Sequence, residues 1–450
     1  MSLQHARSDM LALASRVLER LPHGEGEVTV TETDSALTRF AHSVVHQNVA
    51  DTSLTMRLRL QHQGRVGVAS LRGGAGDLDA AIDRLVTNAE DARRLAPPGE
   101  GLPPLPGPQP GSDRLDATAA YSERTASSSP EERAEHVAVV ARAATAAGLE
   151  AYGALSATTE QVAIVSSTGL RRCARRTAAV LRATLRGDDG GGFADRTAVD
   201  IGELDATALA AEVVETTERN QAASPLEPGT YEVLLSPYAV ADLLSFLGGM
   251  VFSALAVQEG RSPFVRGERM CSERIDLADD PTSAEAAAFP FDGEGVTGRR
   301  VELLDRGVGT GLVHDSATAL VDHVESTGHS LSQPNTYGPV CGHLVLGAGD
   351  ASHAELLAGV RRGLLLTRLW YIRTVHELHT VLTGMTREGT FLVEDGKITR
   401  PVADLRFTQS LLGALGDVRG LGRERRLQID EYGAAVLTPW LHLGGFTFTS

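Results

Sequence analysis

The sequence predicts an α+β protein in two parts. Residues 1–223 form an N-terminal domain of helices on an antiparallel sheet, and residues 224–450 form a β-rich C-terminal domain, barrel-like or sandwich, with few helices. Three observations predict this. In the first half, alternating polar and apolar residues flank tight-turn signals, and helical-period segments with start signals lie between them. The run Ser224-Pro225-Leu226-Glu227-Pro228-Gly229 then reads as a linker. Beyond it, short strand signals and turns outweigh helical periodicity.

The first helix is placed over residues 4–21, where Ala6, Met10, Leu13, Val17 and Leu18 recur at helical spacing until Pro22, His23 and Gly24 stop it. Glu27 to Thr33 alternates, as do Leu54, Met56, Leu58 and Leu60, and Gln63-Gly64 turns the chain into Val66, Val68 and Leu71 as a hairpin. Gly73-Gly74-Ala75-Gly76 is a turn before a second helix carrying Leu78, Ile82, Leu85 and Val86. The proline-rich stretch 97–112 favours an extended surface crossing. Ser129-Pro130-Glu131-Glu132 opens a helix that runs to Gly148, and strands follow around 151–156, 161–167 and 177–186. Arg171, Arg172, Arg175 and Arg176 read as one solvated strand face.

Residues 203–222 read as the last helix of the first half. After the linker, Tyr231 to Leu235 is a strand, and Ser236-Pro237 caps a helix with Val240, Leu243, Leu244, Leu247, Val251 and Leu255 along one row, ended by Gly260. Gly248-Gly249 inside it costs about 1 kcal/mol per glycine relative to alanine, which implies a close neighbour. The remainder reads as short strands at 301–304, 311–314, 343–346, 370–375, 379–383, 390–393 and 404–407, with one helix from His353 to Leu366.

With 450 residues, 42% hydrophobic and 22% charged, the chain can bury one large core or two ordinary ones, which excludes a disordered or fibrous protein. A net charge of -16 repels phosphate backbones and argues against general nucleic-acid binding. Cys173, Cys271 and Cys341 are too scattered for a disulfide framework or a clustered zinc site and suit a reducing cytoplasm. The N-terminus runs straight into a helical pattern, and no stretch reaches the roughly 18 apolar residues of a membrane span. The expectation is a soluble, unexported, cytoplasmic protein.

Common catalytic motifs are absent. There is no Walker loop and no Gly-x-Ser-x-Gly elbow, and the glycine runs at 73–76 and 190–192 lack dinucleotide-site spacing. His42 and His46 would share a face only on a helix, and their surroundings read as strand. His376 and His379, three apart in a β-context, are expected on opposite faces.

Four stretches, however, carry a resemblance. Glu227 to Pro237 gives a strand, Ser-Pro and a helix. Phe289-Pro290-Phe291-Asp292-Gly293-Glu294-Gly295-Val296 is followed by the strand from Val301. Leu369-Trp370-Tyr371-Ile372-Arg373 precedes Leu382 to Ile398, and Val45-His46-Gln47-Asn48 precedes the hairpin at Gln63-Gly64. In this order they resemble the TldD/PmbA family of metallopeptidases over nearly the whole chain. The resemblance implies pairing of a TldD-type with a TldE (PmbA)-type subunit around a chamber that processes unfolded peptides. The TldD-type carries His-Glu-x-x-x-His on the helix after Ser-Pro and a distant cysteine, which together hold zinc. Here the helix from Ser236 to Glu259 has no histidine, and no cysteine follows Cys341.

The resemblance therefore implies a TldE-like, non-catalytic subunit, with no metal or catalytic residue of its own and zinc in the TldD-type partner. Its ligands would be unfolded peptides, not nucleic acid or a membrane. Extended peptides of varied sequence share only main-chain hydrogen bonds, so an exposed strand edge should hold them. Thr383 and Gly384 mark the expected edge, and Arg373 and Arg300, with Arg299, the expected counter-charges to acidic peptides. Two alternatives stand: a peptidase active alone through His376 and His379 with His343 or His353, or a peptide-binding, chaperone-like module in natural-product maturation.

Overall fold

Residues 5–73, 77–99, 103–112, 116, 120–429 and 434–450 are described in the computed structural model, so most of the Gly73–Gly76 turn lies outside the described residues. Period-two alternation builds the first half. After α1 (Arg7–Glu19), β1 (Glu25–Ala41) and β2 (Val44–His62) form a long ribbon. It is closed at His42-Ser43 with φ of 48° and 61°, the positive values of a tight hairpin turn. The turn excludes a shared helical face for His42 and His46. β3 (Arg65–Arg72) returns over Gln63-Gly64 and pairs antiparallel with β2.

 

Helix α2, Leu78–Leu95, lies on the face of β3, so close that Gly67 has no room for a side chain. α3 (Glu123–Ala126) and α4 (Pro130–Ala146) follow, the latter capped by Ser129 with Pro130 in its first turn. β4 (Glu150–Ser166), β5 (Arg171–Arg186), β6 (Gly191–Ala198) and α5 (Ala206–Arg219) complete this part. The six strands are antiparallel in the order β3-β2-β1-β4-β5-β6.

Helices cover one face of this sheet. α1 and α2 pack on Val28, Val30, Met56, Leu58 and Leu60, and α4 and α5 pack on Phe40, Leu155, Leu181 and Leu185. The other face carries Glu27, Arg59, Arg172, Arg176 and Arg182 and meets the C-terminal half. The arginine cluster is therefore not one solvated face. Arg172 is fully buried, bonded to Asp116, to the Gly295 and Pro290 carbonyls and to Thr297, because strand alternation turns it toward the C-terminal half.

The C-terminal half begins with β7 (Gly229–Leu235), α6 (Pro237–Val251), α7 (Ala254–Gln258), β8 (Leu277–Asp279), β9 (Val301–Asp305) and β10 (Val308–Gly309). It continues with α8 (Ser316–Asp322), β11 (His343–Leu346), α9 (His353–Ala358), β12 (Arg362–His376), β13 (Val381–Glu394) and β14 (Lys397–Pro401). β15 (Arg406–Ser410), α10 (Leu411–Leu415), β16 (Val418–Ile429) and β17 (Ala435–Phe448) end it. Strands β17, β15, β13, β12 and β7 pair in turn, and β7 pairs back to β17, so the sheet closes on itself as a barrel. Leu235, Leu364, Leu366, Phe407, Leu441 and Phe446 join α6 in its core.

Several elements differ from expectation. The helix expected from His353 to Leu366 stops at Ala358, and Leu364 to Leu366 lie in β12 between β7 and β13. A strand buried on both faces is a continuous apolar run, which periodicity does not separate from a helix. The helix from Ser236 breaks at Phe252, and Val313 makes only an isolated bridge to Ser253. Strands β16 and β17 lie beyond the last strand expected, at 404–407.

Candidate functional site

The face of β4 and β5 not covered by helices, helix α6, the middle of β12, the end of β16 and the start of β17 line a cleft of three chambers that share lining residues. The first, about 420 Å³, is lined by Ser156, Thr158, Glu160, Arg176, Arg182, His343 and Ile429 among others. The second, about 320 Å³, shares Arg182 and Ile429 with it and adds Asp195, Tyr238, Asp242, Phe246, Arg368 and Trp370. The third, about 290 Å³, shares Trp370 and adds Arg186, Arg387, Glu388 and Asp404.

Charged groups in this cleft are largely paired with one another. Glu160 bonds Arg176 at 2.7 Å, Arg182 bonds Asp195 at 2.6 Å, and Arg368 bonds Glu388 at 2.8 Å. Burial raises the Asp195 carboxyl above its usual range, against the pull of Arg182. Burial likewise lowers Arg368 and pushes the Tyr238 phenol up, and Tyr238 donates to Glu212 at 2.8 Å. Arg196 and Arg426 also hold Glu212, at 2.7 and 2.9 Å. The His343 imidazole is pushed down to about 4 by burial and is neutral at pH 7. Arg368 and Arg387 lie over the Trp370 ring at 4.8 and 4.6 Å from its centroid, and Trp370 as a whole is half-exposed in the cleft.

Helix α6 presents Tyr238, Ala241, Asp242, Ser245 and Phe246 to the second chamber. It starts there because the Ser236 hydroxyl accepts from Ala239 N–H and donates to the Thr367 carbonyl, tying the helix to β12. These residues do not fit zinc, since the helix offers neither imidazole nor thiolate. Among the described residues, no three His, Cys, Asp or Glu side chains are grouped to hold a metal. Burial raises the thiols of Cys173 to about 11 and Cys271 to about 12, and raises Cys341 well above the ordinary range. None of the three is a thiolate near neutrality.

The expected peptide edge is not an edge. Thr383 and Gly384 lie in β13, which is paired with β12 on one side and with Thr408 and Phe407 of β15 on the other. Thr383 donates to the Phe407 carbonyl at 2.8 Å. Gly384 faces a register shift between Trp370 and Arg373, and a Cβ there would meet the Phe407 ring, so it serves a bulge and a ring contact. Arg373 bonds the Ile372 carbonyl and lies over Tyr371. Arg300 is paired with Asp280 and Glu302, and Arg299 with Glu325. Arg373 is the cross-strand partner of Thr383, so Thr383, Gly384 and Arg373 lie side by side on the β12–β13 pair, whereas Arg300 is engaged with Asp280 and Glu302.

His376 and His379 are not on opposite faces. Their rings stand 4.4 Å apart, because β12 ends at His376 and His379 lies in the turn that follows. His343 lines the first chamber and His353 stacks on Trp440, so neither completes a metal set with them. Of the two helical glycines, Gly248 has the expected close neighbour, since a Cβ would stand 3.1 Å from Cys341 and 3.3 Å from Leu344, whereas Gly249 faces open space. Trp370, Arg368 and Tyr238 were missed as a group. Their only signal was the aromatic and arginine residues of the 368–373 stretch.

Residues 228–450 match the PmbA/TldA metallopeptidase C-terminal domain. The chain belongs to the TldD/PmbA family of metallopeptidases. It is 28% identical over 220 residues to a metalloprotease of Methanothermobacter thermautotrophicus and 25% identical over 214 residues to one of Methanocaldococcus jannaschii. Each match covers 46% of this chain and 46% of the relative, so the chain spans about half the length of the curated relatives it matches. The TldD/PmbA-family fold is shared with TldE from Thermococcus kodakarensis, at a TM-score of 0.85 and 20% identity over 99% of this chain and 100% of that one. A proposed modulator of a DNA gyrase from Thermotoga maritima has the same fold, at 0.79 and 19% over 98% and 99%. At these identities the likenesses concern the fold alone. Among the described residues, no helix is long and apolar enough to cross a membrane.

Proposed function

We propose that this chain is a TldE-like, non-catalytic subunit that holds extended peptide in its cleft and works with a TldD-type zinc peptidase. The observation that carries the reading is α6: the helix that follows Ser-Pro faces the cleft with Ala241, Asp242 and Ser245 and offers no zinc donor set. Without a metal-bound hydroxide, hydrolysis falls to the partner.

Two further features support a peptide-holding cleft. Strand β12 pairs with β7 only through residues 363–366, so its outer edge from Arg368 to His376 has no strand partner among the described residues. Arg368, Leu369 and Trp370 on that edge line the second chamber. An extended peptide can add there as a strand, with Trp370 offering a sequence-tolerant apolar surface. Exposed Tyr371, Val375 and Leu378 continue the same edge and suit coverage by another subunit.

The test mixes the purified chain with a TldD-type subunit and an unstructured peptide. Cleavage by the mixture above either subunit alone is expected. Equal cleavage with and without this chain, or full activity of this chain alone, overturns the reading.

A further inference from the structure

The Phe289–Val296 stretch has no part in the cleft reading, yet it builds a buried polar joint against the N-terminal sheet. Glu27 of β1 is 1% exposed, Arg59 of β2 is 2% exposed and Glu294 is fully buried. Asp292 accepts backbone N–H groups of Glu294, Val296 and Ser330 at 2.9, 3.0 and 2.9 Å; burial and Glu294 raise its carboxyl to about 7, and these three bonds pull the other way, toward the ionised form. Glu294 accepts the Ser316 N–H at 3.1 Å and Arg59 at 3.5 Å. Glu27 has no such support. Among the described residues neither of its oxygens accepts a hydrogen bond, and the Arg59 Nη1 of its ion pair stands 3.9 Å away, beyond hydrogen-bonding distance.

The charged groups around Glu27 are Arg57 and Arg59 from β2 and Glu294 from the loop, with Asp292 beside Glu294. Three carboxyls and two guanidiniums leave one negative charge in excess if all are ionised, and burying an uncompensated charge is costly. We infer that Glu27 is a protonated carboxylic acid in this joint, and that docking of the N-terminal sheet on the Asp292–Glu294 loop is therefore proton-linked. The inference does not depend on the peptide-holding reading.

Consistently, burial raises the Glu27 carboxyl to about 7, with Arg59 opposing and Glu294 reinforcing the rise. A carboxyl whose folded value is raised contributes stability that is present below its unfolded value and lost as pH rises through the folded one. The loss therefore falls between about pH 4.5 and 7.

The experiment compares urea unfolding of the wild type and Glu27→Gln, which keeps the size and removes the charge, across about pH 5.5 to 8. Relative to the variant, the wild type should lose at least about tenfold in its folding equilibrium over that range. Parallel pH profiles, or a variant weakened more at high pH than at low, overturn the inference. If the variant does not fold, the infrared carboxylic-acid band of the wild type decides. A buried band at pH 6 that persists in both Asp195→Asn and Asp292→Asn and fades by pH 9, while the fold persists, supports a protonated Glu27, and its absence at pH 6 refutes it.

Discussion

Replacing Arg172 with alanine should uncouple the two halves of the chain. The guanidinium is fully buried, bonds Asp116 at 2.9 and 2.7 Å, and donates to the Gly295 and Pro290 carbonyls at 3.0 and 3.2 Å. It also donates to Thr297 at 2.9 Å and lies over the Phe291 ring at 4.7 Å. Alanine leaves buried Asp116 with the Cys173 N–H at 2.9 Å and the more distant Arg7 at 3.5 Å but without its close guanidinium, and the two carbonyls without this donor; breaking a buried pair in this way costs about 3–5 kcal/mol. At 1.4 kcal/mol per power of ten, the folding equilibrium falls by roughly two to three and a half orders of magnitude. Urea unfolding followed by tryptophan fluorescence reads the change, because Trp370 and Trp440 both lie in the C-terminal half. Arg176→Ala is the control: its pair with Glu160 is about one-third exposed, and loss of such a pair costs at most about 1 kcal/mol. A loss below about 1 kcal/mol for Arg172→Ala refutes the claim that this contact joins the halves.

Other outcomes follow from the same structure. Gly249→Ala should stabilise α6 by about 0.5–1 kcal/mol in thermal unfolding, since its Cβ meets nothing, whereas Gly248→Leu should destabilise it by pressing on Cys341 and Leu344. The His343 imidazole should remain neutral well below the usual histidine value, with an NMR titration midpoint near pH 4; because its folded value is depressed, its share of stability is lost as pH falls from about 6.5 toward 4. Trp370→Ala should weaken peptide binding to the chain by about 1–3 kcal/mol in fluorescence anisotropy while leaving the unfolding midpoint near that of the wild type, since the ring is half-exposed.

The N-terminal sheet was legible because each strand has one side on helices. Val28 and Val30 alternate with Glu27 and Thr29, and period two survives in the sequence. In the barrel that pattern fails. Leu364 to Leu366 sit between two neighbouring strands with both faces buried, so their apolar run extended a helix reading from His353. The missing zinc donors on α6 were visible because they need only residue identity within one helix. The cleft was not, because it depends on residues far apart in sequence meeting in space: Arg182 on the Ile429 carbonyl, and Glu212 between Tyr238 and Arg426. Thr383 and Gly384 failed as an edge for the same reason, since only the observed pairing with β15 shows that the strand is covered.

The central claim, that this TldD/PmbA-family chain carries no peptidase centre of its own, is tested most directly on the isolated protein. Metal content and hydrolysis of an unstructured peptide are measured in the same sample after expression with added zinc. No stoichiometric zinc and no cleavage are expected, with cleavage appearing when a TldD-type subunit is added. Stoichiometric zinc together with cleavage by the isolated chain contradicts it.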